Sequence, residues 1–180
     1  MTNRDPTRRQ FNAAVLGGVA AAAGAAVVFR FDPVSATEAS MKKFEVEHTP
    51  EEWRKLLTPA QFNVLREHGT ERAFSHPYDK LYTKGTFACA GCDLPLFSST
   101  AKFDSRTGWP SFWKPLEGAI ETREDRTLWI MVRTEVHCRR CGGHLGHVFD
   151  DGPKPTGLRY CMNGVAMKFV PEDQPAESKS

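Results

Sequence analysis

The chain lacks an excess of either charge: 24 lysines and arginines face 22 aspartates and glutamates, a formal net charge of +2 over 180 residues. That balance argues against a nucleic-acid or membrane-surface partner. No internal repeat is present, and low-complexity sequence is confined to the two ends. With 40% hydrophobic and 26% charged residues the composition is that of one ordinary globular domain. Strand and helix patterns do not alternate, which excludes a doubly wound parallel sheet. Cysteine is scarce, at five residues, and an odd count excludes a fully paired disulfide framework.

The N-terminal segment stands apart. Arg8 and Arg9 lead into an apolar run, Ala13 to Phe29, of 17 residues rich in alanine and glycine. A spanning helix needs roughly 17–25 residues, so the run sits at the lower limit. A charged start, a mild apolar stretch and the small residues Val34-Ser35-Ala36 read as an export signal. Its opening resembles a twin-arginine signal, and residues 1–36 are expected to be removed, with 37–44 a linker. An uncleaved anchor and a disordered tail are the alternatives. The polar stretch 171–180 is expected to fray.

About 140 residues remain, enough to bury roughly 68–70% of the unfolded surface. Thr49-Pro50 with Glu52, and Thr58-Pro59 with Gln61, predict two short capped helices, the second ended by Gly69. After Tyr82 the segments are short, branched and aromatic, such as "LWIMVR" and "HLGHVF". A hairpin turn is expected at Asp125-Arg126. The fold predicted is mainly β: antiparallel sheet with short N-terminal helices.

Cys89-x-x-Cys92 and Cys138-x-x-Cys141 each offer two thiolates from one turn, and two such turns close a tetrahedral zinc site. Two local disulfides or a thioredoxin-like redox pair fit the same spacing. Magnitudes favour zinc. A four-residue disulfide loop stabilises by only about 2 kcal/mol, whereas a structural zinc contributes an apparent ~10–16 kcal/mol. His137, beside Cys138, reads as a bystander.

Cys161 is left over. Strand alternation in "RYCMN" puts Arg159, Cys161 and Asn163 on one face. A cation and an amide beside a thiol favour the thiolate, so Cys161 is expected to titrate below its ordinary value and act as a nucleophile. A buried structural cysteine is the bland alternative. His144 and His147 are candidate proton donors, although strict alternation would separate them; Gly146 between them permits a bulge that turns both the same way. Trp109, in "GWPSFW", is either aromatic core or the wall of a small apolar pocket.

Taken together, the Cys89–Cys92 pair, "GWPSF" at 108–112, the Cys138–Cys141 pair, "HLGHVFDDGP" at 144–153 and "RYCMN" at 159–163 resemble the methionine sulfoxide reductase B family, over nearly all of residues 45–170. The resemblance implies two small antiparallel sheets with a structural Zn2+ away from the active site. It implies reduction of the R epimer of methionine sulfoxide, free or in proteins. Cys161 would attack the sulfoxide sulfur and become a sulfenic acid. His147, chiefly, with His144 and Asn163 would bind and protonate the oxygen. Arg159 would favour the thiolate, and Trp109 would hold the S-methyl group.

One departure matters. Many members carry a second cysteine immediately before "GWPSF", and this chain has Thr107 there. The sulfenic acid therefore awaits an external thiol, either thioredoxin-like, glutaredoxin-like or of low molecular weight. The setting expected is the periplasm, and the state a monomer. A zinc-bearing binding module without chemistry, and a thiol–disulfide oxidoreductase using a Cys-x-x-Cys pair, are the rivals from other classes.

Overall fold

The computed structural model of the chain describes residues 44–128 and 131–172. The export-signal and linker expectations, and nearly all of the tail, fall outside these residues. Two helices come first, α1 (Pro50–Leu56) and α2 (Pro59–Glu67). Each is opened by a full capping box: Thr49 with Glu52, and Thr58 with Gln61, exchange side-chain and backbone hydrogen bonds. Such a cap contributes about 1 kcal/mol and stabilises helices too short to persist alone. The end of α2 differs from expectation. His68, not Gly69, takes the left-handed turn at φ 57°, and Gly69 N–H closes back onto the Asn63 carbonyl at 2.9 Å. That turn carries the His68 ring to Glu135.

Nine strands follow among the described residues: β1 (Gly85–Cys89), β2 (Pro95–Ser98), β3 (Lys102–Phe103), β4 (Ser111–Phe112), β5 (Ile120–Leu128), β6 (Met131–Cys138), β7 (His144–Phe149), β8 (Arg159–Met162) and β9 (Met167–Pro171). They form a three-stranded sheet, β2-β1-β9, and a six-stranded sheet, β3-β4-β8-β7-β6-β5. Every pairing is antiparallel, as the sequence predicted. The turn expected at Asp125-Arg126 is not there. Asp125 pairs with Arg133 and Leu128 with Met131, so β5 runs past that point. A turn without glycine or asparagine is a weak signal, and the polar alternation of "ETRED" suits a half-exposed strand.

One core lies between the sheets. Phe87, Phe97, Phe112, Leu96, Leu145 and Met162 are fully buried in it, with Phe97 and Phe112 stacked at 4.5 Å. Trp53 and Leu65 bring the helices onto the same cluster. The helices thereby cover the end of the sheets where the paired cysteines meet, since Arg66 Nη1 donates to the Cys141 carbonyl at 2.9 Å.

Candidate active site and metal centre

The two Cys-x-x-Cys turns are built alike. Cys89 N–H donates to the Leu94 carbonyl and Cys138 N–H to the Gly143 carbonyl, each at 2.9 Å. Asp93 and Gly142 return a bond to the first cysteine's carbonyl, each again at 2.9 Å. In both turns that returning residue is left-handed, at φ 58° for Asp93 and 68° for Gly142. The backbone thus curls round each pair and frees both sulfurs to point across. Cys89 Sγ lies 3.7 Å from Cys141 Sγ, and Cys92 Sγ lies 3.5 Å from Cys138 Sγ. A tetrahedron with metal–sulfur bonds of about 2.3 Å has edges of about 3.8 Å, so the four sulfurs fit a zinc ion. All four are free thiols and lie within 4.8 Å of one another. These contacts run across from one turn to the other, which argues for one shared site over two local disulfides or a Cys-x-x-Cys redox pair. Cys89, Cys92, Cys138 and Cys141 form the structural zinc site, and zinc there would staple β1 to β6. His137 is not among the clustered donors; its Nε2 faces Glu121 at 3.6 Å.

The second centre is a row across three strands. Cys161 on β8 pairs with Ser111 on β4 and with His147 on β7. Residues directly opposite in antiparallel strands share a face, so thiol, hydroxyl and imidazole stand side by side. Strand alternation also puts Arg159 on that face, while Met162 is fully buried in the core. The bulge expected at Gly146 is present. Val136 faces Gly146 and His137 faces His144, leaving Leu145 as the extra residue. Gly146 sits at φ 156°, and a Cβ there would lie 2.2 Å from the Cys161 carbonyl. The bulge brings the His144 and His147 rings to 5.4 Å.

A cavity of about 120 Å³ opens above Cys161, lined among others by Thr70, Trp109, His147, Phe149 and Asn163. That is well below the roughly 300–1,000 Å³ of sites for drug-sized ligands, and suits the end of one side chain. His144 does not line it. His144 is 2% exposed and sits a layer back, donating from Nδ1 to Glu135 at 2.7 Å, with Nε2 buried and unpartnered. His147 Nε2 donates to Asp125 at 2.8 Å, which leaves Nδ1 as the nitrogen available to a ligand. Burial pushes the His147 pKa down, against the hydrogen bond to Asp125.

Asn163 is already engaged. Its Oδ1 accepts from Glu71 N–H at 2.9 Å, and its Nδ2 donates to the Leu145 carbonyl at 3.0 Å. Trp109 Nε1 donates to the Glu71 carbonyl at 3.1 Å, and the Glu71 carboxylate accepts from Gly164 and Val165 N–H at 2.7 and 2.9 Å. Glu71 therefore fixes both Asn163 and the indole.

One expectation is corrected. Burial pushes the Cys161 thiol above its ordinary value, and Thr107, Arg159 and Ser111 only partly oppose it. Burial is the cause, and the Arg159 guanidinium that opposes it is shared with Asp151, whose carboxylate holds it by two bonds.

Sequence reasoning missed four carboxylates: Glu71, Asp125, Glu135 and Asp151. Glu135 gathers His144, His68 and Arg123. Burial would raise its pKa, but these three hydrogen bonds outweigh it and keep the carboxylate ionised. A signal was available: each buried cation or histidine of a candidate site needs an acceptor.

A β fold of two antiparallel sheets, with a four-cysteine metal site at one end and a lone thiol in a small pocket, defines a zinc-stapled thiol protein. Comparison with family profiles matches residues 57–171 to the SelR domain. The chain is 55% identical over 128 residues to a peptide methionine sulfoxide reductase MsrB of Agrobacterium fabrum, spanning 71% of this chain and 94% of that protein. A Pseudomonas syringae protein of the same name is 55% identical over 129 residues, spanning 71% and 97%. The chloroplastic peptide methionine sulfoxide reductase B1 of Arabidopsis thaliana is 52% identical over 118 residues, spanning 66% and 58%. The chain belongs to this SelR/MsrB family.

Proposed function

We propose that the chain is a peptide-methionine (R)-S-oxide reductase with Cys161 as its nucleophile. The observation that carries the reading is the row Ser111–Cys161–His147 beneath a pocket with an indole wall. The Cys161 thiolate adds to the sulfoxide sulfur, and His147, through Nδ1, protonates the oxygen. Trp109 packs on the S-methyl group, its indole held by the Glu71 carbonyl in the loop that Asn163 anchors. The sulfur–oxygen bond breaks with loss of the oxygen as water; water then attacks Cys161 Sγ and the new sulfur–sulfur bond breaks, releasing methionine, reduced by two electrons, and leaving Cys161 as a sulfenic acid. An external thiol condenses with this acid, releasing water and forming a mixed disulfide. A second thiol frees Cys161. Arg159, oriented by Asp151, stabilises the anionic sulfur, and His144 supports His147 from behind. The zinc would hold the fold and take no step.

The test is a single turnover without reductant, full chain against excess racemic methionine sulfoxide, with Cys161→Ser as control. One methionine per chain, loss of the R epimer only, and a dimedone adduct on Cys161 are expected. No methionine from a folded, zinc-loaded chain would sink the reading. We also propose export to the periplasm by the twin-arginine route, supported by Arg8-Arg9 ahead of the Ala13–Phe29 run. Unchanged export in cells lacking that translocase, or none in normal cells, would refute it.

A further inference from the structure

The flank of Cys161 opposite His147 carries no charge but a line of hydroxyls. Thr107 Oγ1 lies 3.9 Å from Cys161 Sγ, Ser105 Oγ lies 2.8 Å from Thr107 Oγ1, and Ser111 Oγ lies 2.7 Å from Ser105 Oγ. Ser111 Oγ donates to the Trp109 carbonyl at 3.2 Å, which fixes the direction of the rest. With Ser111 committed to that carbonyl, it accepts from Ser105, Ser105 accepts from Thr107, and Thr107 is left to accept from the Cys161 S–H. Every hydrogen then has a place.

Ionisation removes the hydrogen on sulfur. Rotation of the Thr107 hydroxyl then gives its hydrogen to the thiolate, and Ser105 turns to follow it. No heavy atom need move. We propose that Ser105, Thr107 and Ser111 form a reversible hydroxyl chain that turns from acceptor to donor at Cys161 when the thiol ionises, making Thr107 a further catalytic residue and Ser105 a positioning residue. The other polar groups around Cys161 are Arg159 on its own strand, His147 from β7 backed by Asp125 of β5, Arg133 from β6, and Thr70 and Asn163 in the pocket lining. Glu71, in the facing loop, has its carboxylate turned onto Gly164 and Val165. Arg159 is pair-bound to Asp151, and Arg133 donates to Asp125 at 2.7 Å. The hydroxyl chain is a neutral donor in direct reach of the sulfur that can answer the new charge. It occupies the place where many family members carry their second cysteine.

The inference rests on Cys161 as the nucleophile, and its test reads the thiol without substrate. The full, zinc-loaded chain is alkylated with iodoacetamide from pH 6 to 10, and the Cys161 adduct is followed by peptide mass spectrometry. For Thr107→Val the midpoint is expected to rise by about one unit, slowing alkylation at pH 7 roughly tenfold. Thr107→Ser restores the wild-type profile. Ser105→Ala, although Ser105 does not touch the sulfur, is expected to slow it roughly threefold through the chain. A wild-type profile for Ser105→Ala would overturn the chain, even if Thr107→Val shifted. Shifted profiles in a protein that reduces no sulfoxide would instead sink the reductase reading and leave the chain standing.

Discussion

The Arg159 guanidinium meets the Asp151 carboxylate at two points, Nε to Oδ1 and Nη2 to Oδ2, each at 2.8 Å. From the sequence, Arg159 is a cation placed to stabilise a thiolate two residues away. In the fold Arg159 is shared between Asp151 and Cys161, and burial pushes the thiol up against it. Asp151→Asn should therefore lower the Cys161 alkylation midpoint, and Arg159→Met should raise it. The Asp151 side chain is 60% exposed, so solvent screens the pair and the decrease should be about half a unit. An unchanged or higher midpoint in Asp151→Asn would show that the pair does not set the field at the sulfur.

The zinc site predicts a larger effect. A structural zinc contributes an apparent ~10–16 kcal/mol, comparable with the whole stability of about 5–15 kcal/mol of a small domain. Cys138→Ser or Cys89→Ser should lose the metal and the cooperative thermal transition together, and a strong chelator should reproduce this in the wild type. Metal analysis with thermal unfolding checks it. A metal-free variant that still melts cooperatively and stays active would refute the structural role.

Much of this was legible in residue order because the signals are local. Capping boxes span four residues, Cys-x-x-Cys turns also span four, and Gly146 between two histidines announced its bulge. The partners of the site residues were not legible. Glu135 stands 9 positions from His144, Asp125 stands 22 from His147, and Glu71 stands 92 from Asn163. Only strand register and loop packing bring them together. The direction of the Cys161 shift was misread for the same reason. Alternation shows which neighbours share a face, but burial and the charge already holding Arg159 belong to the folded chain.

His147 predicts the pH profile. Its pKa is lowered from 6.5, chiefly by burial, so the imidazolium is the minor form at neutral pH and grows as pH falls. The Cys161 thiolate grows as pH rises. A reaction needing both gives a bell in kcat/KM whose acid limb lies below pH 6.5. Asp125→Asn removes the carboxylate that favours the imidazolium. It should move the acid limb lower still and reduce the plateau roughly tenfold, while His147→Gln should cost about 10²–10⁴. An acid limb that stays in place in Asp125→Asn would assign it to another group.

Thr107 makes the last prediction, since its hydroxyl touches the Cys161 sulfur. Its Oγ1 lies 3.9 Å from Cys161 Sγ, and a disulfide needs about 2.05 Å, so closure requires the loop to yield by about 2 Å. Thr107 is half-buried between Arg106 and Gly108, both left-handed, at φ 60° and 86°, in a short irregular segment rather than a sheet. Such a segment can give where a strand cannot. In Thr107→Cys the new thiol should attack the Cys161 sulfenic acid, expel water and leave a 107–161 disulfide. Peptide mass spectrometry after a single turnover should then find that disulfide, with dimedone labelling lost. Turnover should also become supportable by a dithiol reductant that opens disulfides. Persistent sulfenic acid in the variant would mean that the loop holds Thr107 rigidly as a hydroxyl donor, and that external thiols resolve Cys161 whichever residue stands at 107.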